Sequence, residues 1–432
     1  MKAVIMAGGR GSRIASIAKD VPKPMIKIGN KPVLEIAIEC LESQGYRDII
    51  ITVGYLADKI MNYFGDGSKV SPVTGRPFDV HIEYFIETEP LGSAGALLQI
   101  KDKLTEDFLL LNADSVFCVD FSRFIAYHKK NGGLVTLFTH PNSHPYDSGL
   151  IVTDERGMVK QWILKEEQRP VYYHNRVNAG LHIISPQILQ DIKTTNKKID
   201  LDRQILKPLA NSGKMFAYDS SEYVKDMGTP KRYESVCRDY WSEKVQMKNL
   251  KRWQRAVFLD RDGTINKYVG FLRDIYEFEL LPGAAEAIKM INESGYLAIV
   301  VTNQPVVARG EVTLKQLEMI HNKMETLLGQ QGAYVDGIYF CPHHPNKGYK
   351  GERAELKIKC ECRKPKPGML LEAAKDFHIN LAESWMIGDS ESDILAGIEA
   401  GCRTALIDGG CENVGQAVTV NSLYQFTKSY LK

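Results

Sequence analysis

The sequence predicts an α/β protein with two domains. Short apolar runs rich in β-branched residues alternate with helical patterns in both halves of the chain, which is typical of parallel α/β units. The chain has 432 residues, which is too many for one typical hydrophobic core. We therefore expect two such units joined by a connector.

The first unit begins with a strand over Lys2–Met6 that leads into a glycine loop. Apolar residues then follow at helical spacing, at Leu34, Ala37, Ile38 and Leu41. Gly45 ends this predicted helix, and Ile49–Val53 is predicted to be the next strand. This order of elements predicts a parallel sheet with a loop at its carboxyl edge.

The same order of elements returns in the second half of the chain. A strand at Ala256–Leu259 is followed by a helix around Ala284–Ile291 and a strand at Leu297–Val301. A last amphipathic helix is predicted from Leu423, Phe426 and Tyr430. The stretch 233–255 contains neither glycine nor proline and is rich in charge, so we predict domains at 1–240 and 255–432 with a helical linker at 241–254.

The composition excludes several classes of function. The 55 basic residues nearly balance the 53 acidic ones, which disfavours a large nucleic-acid-binding surface. No apolar run has the length of a membrane-spanning helix, and the first residues lack the apolar core of a secretion signal. We therefore expect a cytoplasmic protein with small-molecule partners and no membrane, and a homo-oligomer stays open.

The cysteines favour a metal site over disulfides. Three of the eight fall near His343 in one short segment, and a chain of this size does not need disulfides. The other five are predicted to be buried thiols, at Cys40, Cys118, Cys237, Cys402 and Cys411. A reducing compartment agrees with this pattern.

A glycine loop after the first strand predicts phosphate binding. Gly8, Gly9 and Gly11 let backbone N–H groups approach a phosphate closely, and Arg13 and Lys23 can neutralise its charge. A dinucleotide fingerprint does not fit, because isoleucine stands where its third glycine is required, and the lysine-serine ending of an ATPase loop is absent. A plain glycine turn is the remaining alternative.

Further motifs follow this loop in order. They are Pro22-Lys23-Pro24, Glu87-x-Glu89-Pro90-Leu91-Gly92-Ser93-Ala94-Gly95, Asn112-Ala113-Asp114, Asn178-Ala179-Gly180 and Asp226-Met227-Gly228-Thr229-Pro230. Together with the glycine loop they resemble the signature of sugar-1-phosphate nucleotidyltransferases over most of residues 1–235. The resemblance implies a Rossmann-like, GT-A-like domain that joins a sugar 1-phosphate to a nucleoside triphosphate with release of pyrophosphate.

The resemblance also implies roles for individual residues. Asp114 and Asp226 match the magnesium ligands of the family, and carboxylate oxygens suit Mg²⁺. Arg13 and Lys23 match residues that stabilise developing charge. The substrate-binding positions that match the family are Gly8, Gly9, Gly11, Glu87, Gly92, Asn178, Gly180 and Lys165.

Two features of this half bear on specificity. Many relatives hold the sugar with a Glu-Lys pair, but here Leu164 stands before Lys165 where the glutamate is expected. The Pro90-Leu91-Gly92-Ser93-Ala94-Gly95 segment is most similar to mannose-1-phosphate guanylyltransferases, which favours GTP. Thymidylyl- and uridylyltransferases share the scaffold and stay as alternatives.

The second half carries two carboxylates directly after a buried strand, at Asp260 and Asp262. The motifs that follow are Thr302-Asn303, Arg363-Lys364-Pro365 and Asp389-Ser390-Glu391-Ser392-Asp393. Together they resemble the four motifs of the haloacid dehalogenase superfamily, whereas an isolated Asp-x-Asp-Gly is also compatible with a surface turn or a calcium loop. The resemblance implies a Rossmannoid phosphatase domain.

In that family the first aspartate attacks phosphorus and the second moves protons. The resemblance therefore gives these roles to Asp260 and Asp262, with Mg²⁺ on the Asp260 carboxylate, the Asp262 backbone carbonyl and Asp389. Thr302 and Lys364 are implied to hold the phosphoryl oxygens, with Asn303 and Arg363 beside them. Asp393 is expected to support the site and not to bind the metal.

Cys341, His343, Cys360 and Cys362 offer three thiolates and one imidazole, a set that suits a structural, tetrahedral Zn²⁺ site. The arrangement, with Thr302-Asn303-Gln304 upstream, resembles heptose 1,7-bisphosphate and histidinol-phosphate phosphatases. His344 is the alternative imidazole. Two departures, Pro305-Val306-Val307 and Ser390, border the implied substrate position and leave the leaving group open.

The two resemblances fit consecutive steps of one pathway. The phosphatase half is implied to remove the 7-phosphate of D-glycero-D-manno-heptose 1,7-bisphosphate, and the transferase half to cap the remaining 1-phosphate with GMP for surface polysaccharide synthesis. An α-anomer is expected, because nucleotide sugars of the guanylyl branch are normally α-linked. Two alternatives stay open. One is a histidinol-phosphate phosphatase fused to a mannose-1-phosphate guanylyltransferase or another nucleotidyltransferase. The other is a first half that binds sugar nucleotides without turnover.

Overall fold

The computed structural model describes residues 1–9, 11–14, 17, 20–190, 192, 198–407 and 413–431. The chain forms two compact units. Unit 1 consists of residues 1–139, 151–163 and 178–249, and unit 2 consists of residues 140–150, 164–177 and 250–432. Cys411, predicted to be a buried thiol, lies outside the described residues.

Unit 1 is an α/β unit. Its strands are β1 (Ala3–Ala7), β2 (Lys27–Ile28), β3 (Lys31–Pro32), β4 (Asp48–Val53), β5 (His81–Ile86), β6 (Phe108–Asn112), β7 (Ser115–Cys118), β8 (Val135–His140), β9 (Leu150–Thr153), β10 (Val159–Ile163), β11 (Val177–Ile184), β12 (Met215–Asp219) and β13 (Tyr223–Asp226). Its helices are α1 (Val33–Glu42), α2 (Ala57–Phe64), α3 (Gly92–Gln99), α4 (Phe121–Asn131), α5 (Gln187–Gln190), α6 (Pro230–Trp241) and α7 (Lys244–Met247).

The main sheet of unit 1 has the order β10-β9-β11-β6-β1-β4-β5, and β8 and β12 continue it beside β11. β1 pairs in parallel with β4 and β6, with Met6 opposite Asn112. The carboxyl ends of these three strands therefore meet at one edge, which brings the glycine loop and Asp114 together. A separate ribbon pairs β7 with β13 and sets Asp226 opposite Ser115.

Unit 2 contains a parallel sheet of the order β16-β15-β14-β17-β18-β19. The strands are β14 (Ala256–Leu259), β15 (Leu297–Asn303), β16 (Gly337–Cys341), β17 (Trp385–Gly388), β18 (Arg403–Ile407) and β19 (Val418–Val420). The helices are α8 (Ala284–Glu293), α9 (Pro305–Ala308), α10 (Leu314–Gln330), α11 (Gly368–Phe377), α12 (Glu391–Glu399) and α13 (Leu423–Tyr430). Asp260, Thr302 and Asp389 end or follow β14, β15 and β17, so all three lie at the carboxyl edge.

Both sheets are covered by apolar helix faces, as the periodicity predicts. In α1, Leu34, Ala37, Ile38 and Leu41 are all buried against the first sheet. In α13, Leu423 and Phe426 are buried in the second core, whereas Tyr430 is 44% exposed. The ring of Tyr430 still stacks on Phe426, so the apolar stripe of α13 continues to the end of the helix although its last residue is partly exposed.

The connector between the two halves is less helical than expected. After α6 the chain leaves the helix at Ser242, and Glu243 takes a left-handed conformation with a φ of 59°. α7 then adds a single turn that ends at Met247. The expectation of a helix through residues 241–254 is therefore wrong after Met247.

Unit 2 also contains two segments from the first half of the sequence, 140–150 and 164–177, which the continuous 1–240 boundary did not anticipate. Within unit 2, Arg176 donates to the buried carboxylate of Glu325 on α10 at 3.1 Å. His174 Nδ1 lies 2.6 Å from the other oxygen of Glu325, and Thr326 Oγ1 accepts from the Tyr173 backbone N–H at 2.9 Å. These contacts build the segment into the second core.

Among the described residues, no helix combines the length and the apolar character that crossing a membrane requires.

Candidate active sites

A cavity of about 720 Å³ lies at the carboxyl ends of β1, β4 and β6 in unit 1. The residues predicted for this site that line it are Gly8, Gly9, Gly11, Arg13, Lys23, Glu87, Gly92 and Asp114. Its wall also includes Tyr55 and Lys198, which belong to no predicted motif, and Asn112, to which the sequence assigned no role of its own. The cavity is large enough for a nucleotide-sized ligand.

The glycine loop allows a close approach that a side chain would prevent. A Cβ atom on Gly8 would lie 2.0 Å from Glu87 Oε1, and one on Gly54 would lie 2.9 Å from the Gly8 carbonyl oxygen. Burial raises the pKa of Glu87, while the Leu91 N–H donates to its carboxylate and lowers that pKa in part. The loop therefore packs against an acidic residue inside the cavity.

Asp114 directly precedes β7 and Asp226 ends β13, so the two residues are neighbours in the ribbon that these strands form. The Met227 N–H donates to the Asp114 carbonyl oxygen at 3.0 Å. Lys23 forms an ion pair with the Asp114 carboxylate, and Arg232 Nη1 donates to both oxygens of Asp226, at 3.0 and 2.9 Å. Burial alone would raise the pKa of Asp226, but Arg232 in particular lowers it, so this carboxylate is ionised.

Asn178 and Gly180 adjoin the cavity wall without being part of it. A Cβ atom on Gly180, which has a φ of 74°, would lie 2.3 Å from Asn112 Nδ2. Asn178 Oδ1 accepts from the Gly180 N–H at 3.3 Å and lies 3.1 Å from His182 Nε2. Burial lowers the pKa of His182 to about 4, so its imidazole is neutral and orients Asn178.

Lys165 is not brought to this cavity. It is exposed, lies in unit 2, and is not among the residues that line the cavity of unit 1. The structure thus offers no support for the sugar-binding role that the resemblance implied for Lys165.

In unit 2 the predicted phosphatase residues form one acidic cluster. Asp260, Asp389 and Asp393 can place one carboxylate oxygen each within 4.8 Å of one another. Lys364 Nζ bridges two of them, at 2.6 Å from Asp260 Oδ1 and 2.5 Å from Asp393 Oδ1, and also donates to the Val301 carbonyl oxygen. One buried ammonium thus partly balances two buried carboxylates, Asp260 and Asp393, and a half-buried one, Asp389.

Burial controls the charges in this cluster. Burial, together with the neighbouring Asp393 and against the effect of Lys364, raises the pKa of Asp260 to about 7 and that of Asp389 to about 6. Burial alone would lower the pKa of Lys364, but Asp260 and Asp393 raise it well above its usual value. An added divalent cation at Asp260 and Asp389 would relieve this repulsion, so the oxygen donors fit Mg²⁺.

The side chain of Asp262 is held apart from that cluster. Arg261 donates to it through Nε and Nη2, Asn266 Nδ2 donates at 2.9 Å and Gln304 Nε2 donates at 2.9 Å. Burial would raise the pKa of Asp262, but these donors, Arg261 above all, lower it. A metal contact from this residue would therefore come from its backbone carbonyl, as the sequence analysis supposed.

Hydrogen bonds join the residues of unit 2 that are predicted to bind phosphate to Asp262, the predicted acid–base group. Gln304 donates to both Asp262 and Thr302 Oγ1, and Asn303 exchanges two hydrogen bonds of 3.0 Å with the backbone of Lys364. Arg363 Nη1 donates to the His343 carbonyl oxygen. Arg261, Asn266 and Gln304 were missed as site residues, although the position of Arg261 between the two aspartates was a usable signal.

The four predicted zinc ligands converge. The three sulfur atoms lie 3.2, 3.4 and 3.5 Å apart, and His343 Nδ1 lies 3.3 Å from Cys362 Sγ. A tetrahedral Zn²⁺ with bonds of about 2.3 Å separates sulfur ligands by about 3.8 Å, so a small expansion admits the ion. His344 points elsewhere, with Nδ1 3.3 Å from the Asn346 carbonyl oxygen.

The remaining cysteines differ from expectation in their burial. Cys40, Cys118, Cys237 and Cys402 are partly and not fully buried. Cys40 and Cys118 are also hydrogen-bond neighbours, so these two are not scattered in space.

Comparisons with known proteins match the two halves of the chain separately, and the match to the first half includes the segments 140–150 and 164–177 of unit 2. The nucleotidyl transferase family model matches residues 2–243, and a HAD-hydrolase-like model matches residues 361–424. The D-glycero-beta-D-manno-heptose-1,7-bisphosphate 7-phosphatase of Haemophilus ducreyi is 40% identical over 167 residues, which cover 38% of this chain and 87% of that protein.

Two further relatives match the first half. A probable mannose-1-phosphate guanylyltransferase 2 of Oryza sativa subsp. japonica is 30% identical over 245 residues, which cover 56% of this chain and 64% of that protein. The crystal structure of HddC from Yersinia pseudotuberculosis is 27% identical, has a TM-score of 0.47, and covers 55% of this chain and 99% of that one.

Fold and site together define an enzyme with two centres for phosphate chemistry, one that transfers nucleotidyl groups and one that hydrolyses phosphate esters. The chain belongs to the nucleotidyl transferase family, with a phosphatase of the haloacid dehalogenase type as its second unit.

Proposed function

We propose that this chain catalyses two steps of GDP-heptose synthesis. Unit 2 removes the 7-phosphate of D-glycero-D-manno-heptose 1,7-bisphosphate, and unit 1 transfers GMP from GTP to the remaining 1-phosphate. The proposal rests on two separate groups of carboxylates, each with cations beside it. The halves of the chain that contain them resemble a sugar-1-phosphate guanylyltransferase and a heptose-bisphosphate phosphatase.

In the phosphatase step, the Asp260 carboxylate attacks phosphorus and the bond to the sugar oxygen breaks. Asp262 is the general acid that donates a proton to that leaving oxygen once substrate binding has protonated its carboxyl, which Arg261 otherwise keeps ionised, and Lys364 and Thr302 bind the phosphoryl oxygens. Asp262 then takes a proton from water, whose oxygen attacks the aspartyl-phosphate and releases phosphate. Mg²⁺, held by Asp260, Asp389 and the Asp262 carbonyl, would neutralise phosphate charge during both displacements.

In the transferase step, an oxygen of the sugar 1-phosphate attacks the α-phosphorus of GTP and pyrophosphate leaves. No protein nucleophile is needed, so unit 1 works by positioning and by neutralising charge. Arg13 and Lys23 line the cavity that would receive the triphosphate, and Asp114 and Asp226 are suited to hold Mg²⁺. Asn178, held by His182, is suited to face the sugar.

The cysteine cluster is proposed to hold a structural Zn²⁺. Four protein ligands leave no open position for catalysis. The same three thiols need a reducing compartment to stay available, which agrees with a cytoplasmic enzyme that draws on the nucleotide pool.

The anomeric configuration of the heptose phosphate concerns both units. The phosphatase relatives are named for the β-anomer, whereas a guanylyl product is expected to be α-linked. Because the product of the phosphatase step is the substrate of the transferase step, we expect both units to prefer the same anomer, and we propose the α-anomer. Mannose 1-phosphate is a second candidate acceptor for unit 1, because of its guanylyltransferase relative in rice.

The test supplies each anomer of the bisphosphate with each of four nucleoside triphosphates and identifies the products by mass. GDP-heptose, phosphate and pyrophosphate formed from GTP and the α-anomer is the expected result. Histidinol phosphate as the better phosphatase substrate, or a different nucleotide as the better donor, would overturn the assignment of the corresponding unit. Asp114→Ala and Asp260→Asn controls assign each product to its unit.

A further inference from the structure

Arg232 sits where a metal ion at Asp226 would have to bind. It occupies the first turn of α6, and its Nη1 donates to both oxygens of the Asp226 carboxylate, at 3.0 and 2.9 Å. The Gly228 N–H donates to Asp226 Oδ1 at 2.7 Å. The resemblance and the motif reasoning assigned Arg232 no role.

The charges around this carboxylate pair are balanced without a metal ion. Asp114 is paired with Lys23, and Asp226 with Arg232. A methyl group on Gly228 would lie 3.7 Å from Lys23 Nζ and 3.8 Å from Arg232 Nη1, so both cations approach the same small region. A divalent cation added there would meet two positive charges within a few ångströms, and like charges at that distance repel.

Arg232 is the group that can yield. Asp226 is held by the pairing of β13 with β7 and by the Gly228 N–H, whereas Arg232 is a long side chain that is 18% exposed at the start of a helix. Lys23 lines the cavity and, under the proposed function, would bind the triphosphate there. Among the described residues that contact the Asp226 carboxylate, Arg232 is the long side chain that can turn toward solvent.

Resting on the proposed metal role of Asp114 and Asp226, we propose that Arg232 competes with the divalent cation for the Asp226 carboxylate. It neutralises Asp226 while the ion is absent and gives up at least one oxygen when the ion binds. Arg232 is thus a positioning residue that sets the metal affinity of the transferase centre. Removing its charge makes the ion bind more tightly.

Arg232 has a second effect, on the pKa of Asp226, that acts in the opposite direction on metal binding, and the choice of pH excludes it. Arg232 also lowers the pKa of Asp226, which would help metal binding where that carboxylate titrates. At pH 7.5 an aspartate is ionised with or without this help, so only the competition is left to measure.

The experiment measures Mn²⁺ binding to the full-length chain by electron paramagnetic resonance of the free ion, at pH 7.5 and constant ionic strength, with the α,β-methylene analogue of GTP present. Asp260→Asn and Asp389→Asn are combined in the starting protein so that the phosphatase centre does not contribute. Arg232→Gln is expected to tighten Mn²⁺ binding roughly 3- to 10-fold. Arg232→Lys, which keeps the charge, is expected to stay near the starting protein.

Arg238→Gln is the matched control, because Arg238 lies on the same helix and is exposed. Equal or weaker Mn²⁺ binding in Arg232→Gln overturns the competition while leaving the metal site in place. If the starting protein binds no Mn²⁺, or if Asp114→Ala binds it equally well, the proposed metal site itself fails, and the inference fails with it.

Discussion

The carboxylates that are proposed to act in phosphate chemistry have different surroundings in the two units. In unit 1 the side chains of Asp114 and Asp226 are 26% and 41% exposed, and each has its own cationic partner. In unit 2 the side chains of Asp260 and Asp393 are 11% and 1% exposed, and they share one lysine. The difference follows the proposed chemistry, because a transferase lets its substrates supply the reacting oxygen, whereas a covalent phosphatase must shelter a nucleophile of its own.

The largest effect is expected from replacing that nucleophile. Asp260→Asn should lower phosphate release by about 10⁴-fold or more, because no aspartyl-phosphate can form. GMP transfer to heptose 1-phosphate should stay within about twofold, since this residue lies in unit 2. Phosphate and pyrophosphate assays on one preparation check both. Retained phosphate release would remove the covalent mechanism.

Asp114→Ala should impair the transferase activity and spare the phosphatase activity. Pyrophosphate release from GTP and heptose 1-phosphate should fall by about 10³-fold, because the metal loses a ligand and Lys23 loses its partner. Phosphate release from the bisphosphate should be unchanged. Undiminished pyrophosphate release in this variant would contradict the metal assignment.

The cysteine cluster is expected to stabilise unit 2 alone. Cys362→Ser should remove bound zinc and lower the stability of unit 2 by about 3 kcal/mol, or about 10 °C in Tm. Elemental analysis and calorimetry measure the two effects. Cys402→Ser, a change at a partly buried thiol of the same unit outside the cluster, should keep both the zinc and the Tm. Equal zinc content in the two variants would argue against the ligand set.

The buried ion pair of Arg176 and Glu325 is expected to contribute to the stability of unit 2. Arg176→Leu should destabilise unit 2 by about 3 kcal/mol, because it leaves a fully buried carboxylate without its guanidinium. The double variant Arg176→Leu/Glu325→Leu should recover much of that loss, since no buried charge then remains unpaired. Denaturant unfolding followed in unit 2 measures the cycle, and simple additivity of the two changes would speak against a buried ion pair.

The smallest effect is one of pH on unit 1. Burial lowers the pKa of His182 to about 4, so the unfolded chain, with a pKa of about 6.5, binds more protons below neutrality. Stability should therefore fall as the pH drops, by about 2 kcal/mol from this residue between pH 7 and 5. His182→Gln should remove that share of the slope in unfolding experiments, whereas His81→Gln, at an exposed site, should not.

Local patterns predicted most of the fold and most of each site. Strand Ala256–Leu259 matches its predicted bounds, and the carboxylates that follow consecutive parallel strands lie together because such strands end at one edge. The four predicted zinc ligands could be identified because all of them lie within one segment of 22 residues. Motif and periodicity together were sufficient for these features.

The features that sequence reasoning missed were indicated by no motif and no local spacing. Arg232 is close to Asp226 in sequence, yet its hold on that carboxylate depends on how the chain turns between the end of β13 and the first turn of α6. Arg176 and Glu325 are 149 positions apart and share no motif, so nothing local indicated that they pair. The role of Lys165 stays a prediction, because the segment that carries it belongs to unit 2 and the residue does not line the cavity of unit 1.

The path of the chain through unit 2 has a consequence for how these activities could be divided between genes. The backbone passes from one unit to the other after residues 139, 150, 163, 177 and 249, so one cut cannot release either unit whole. A polypeptide that starts at residue 250 would keep α10 but lose the segment that neutralises Glu325 and pairs with Thr326. The fusion is thus an interleaved molecule, and a working pair of separate proteins would first need a redesigned surface along α10.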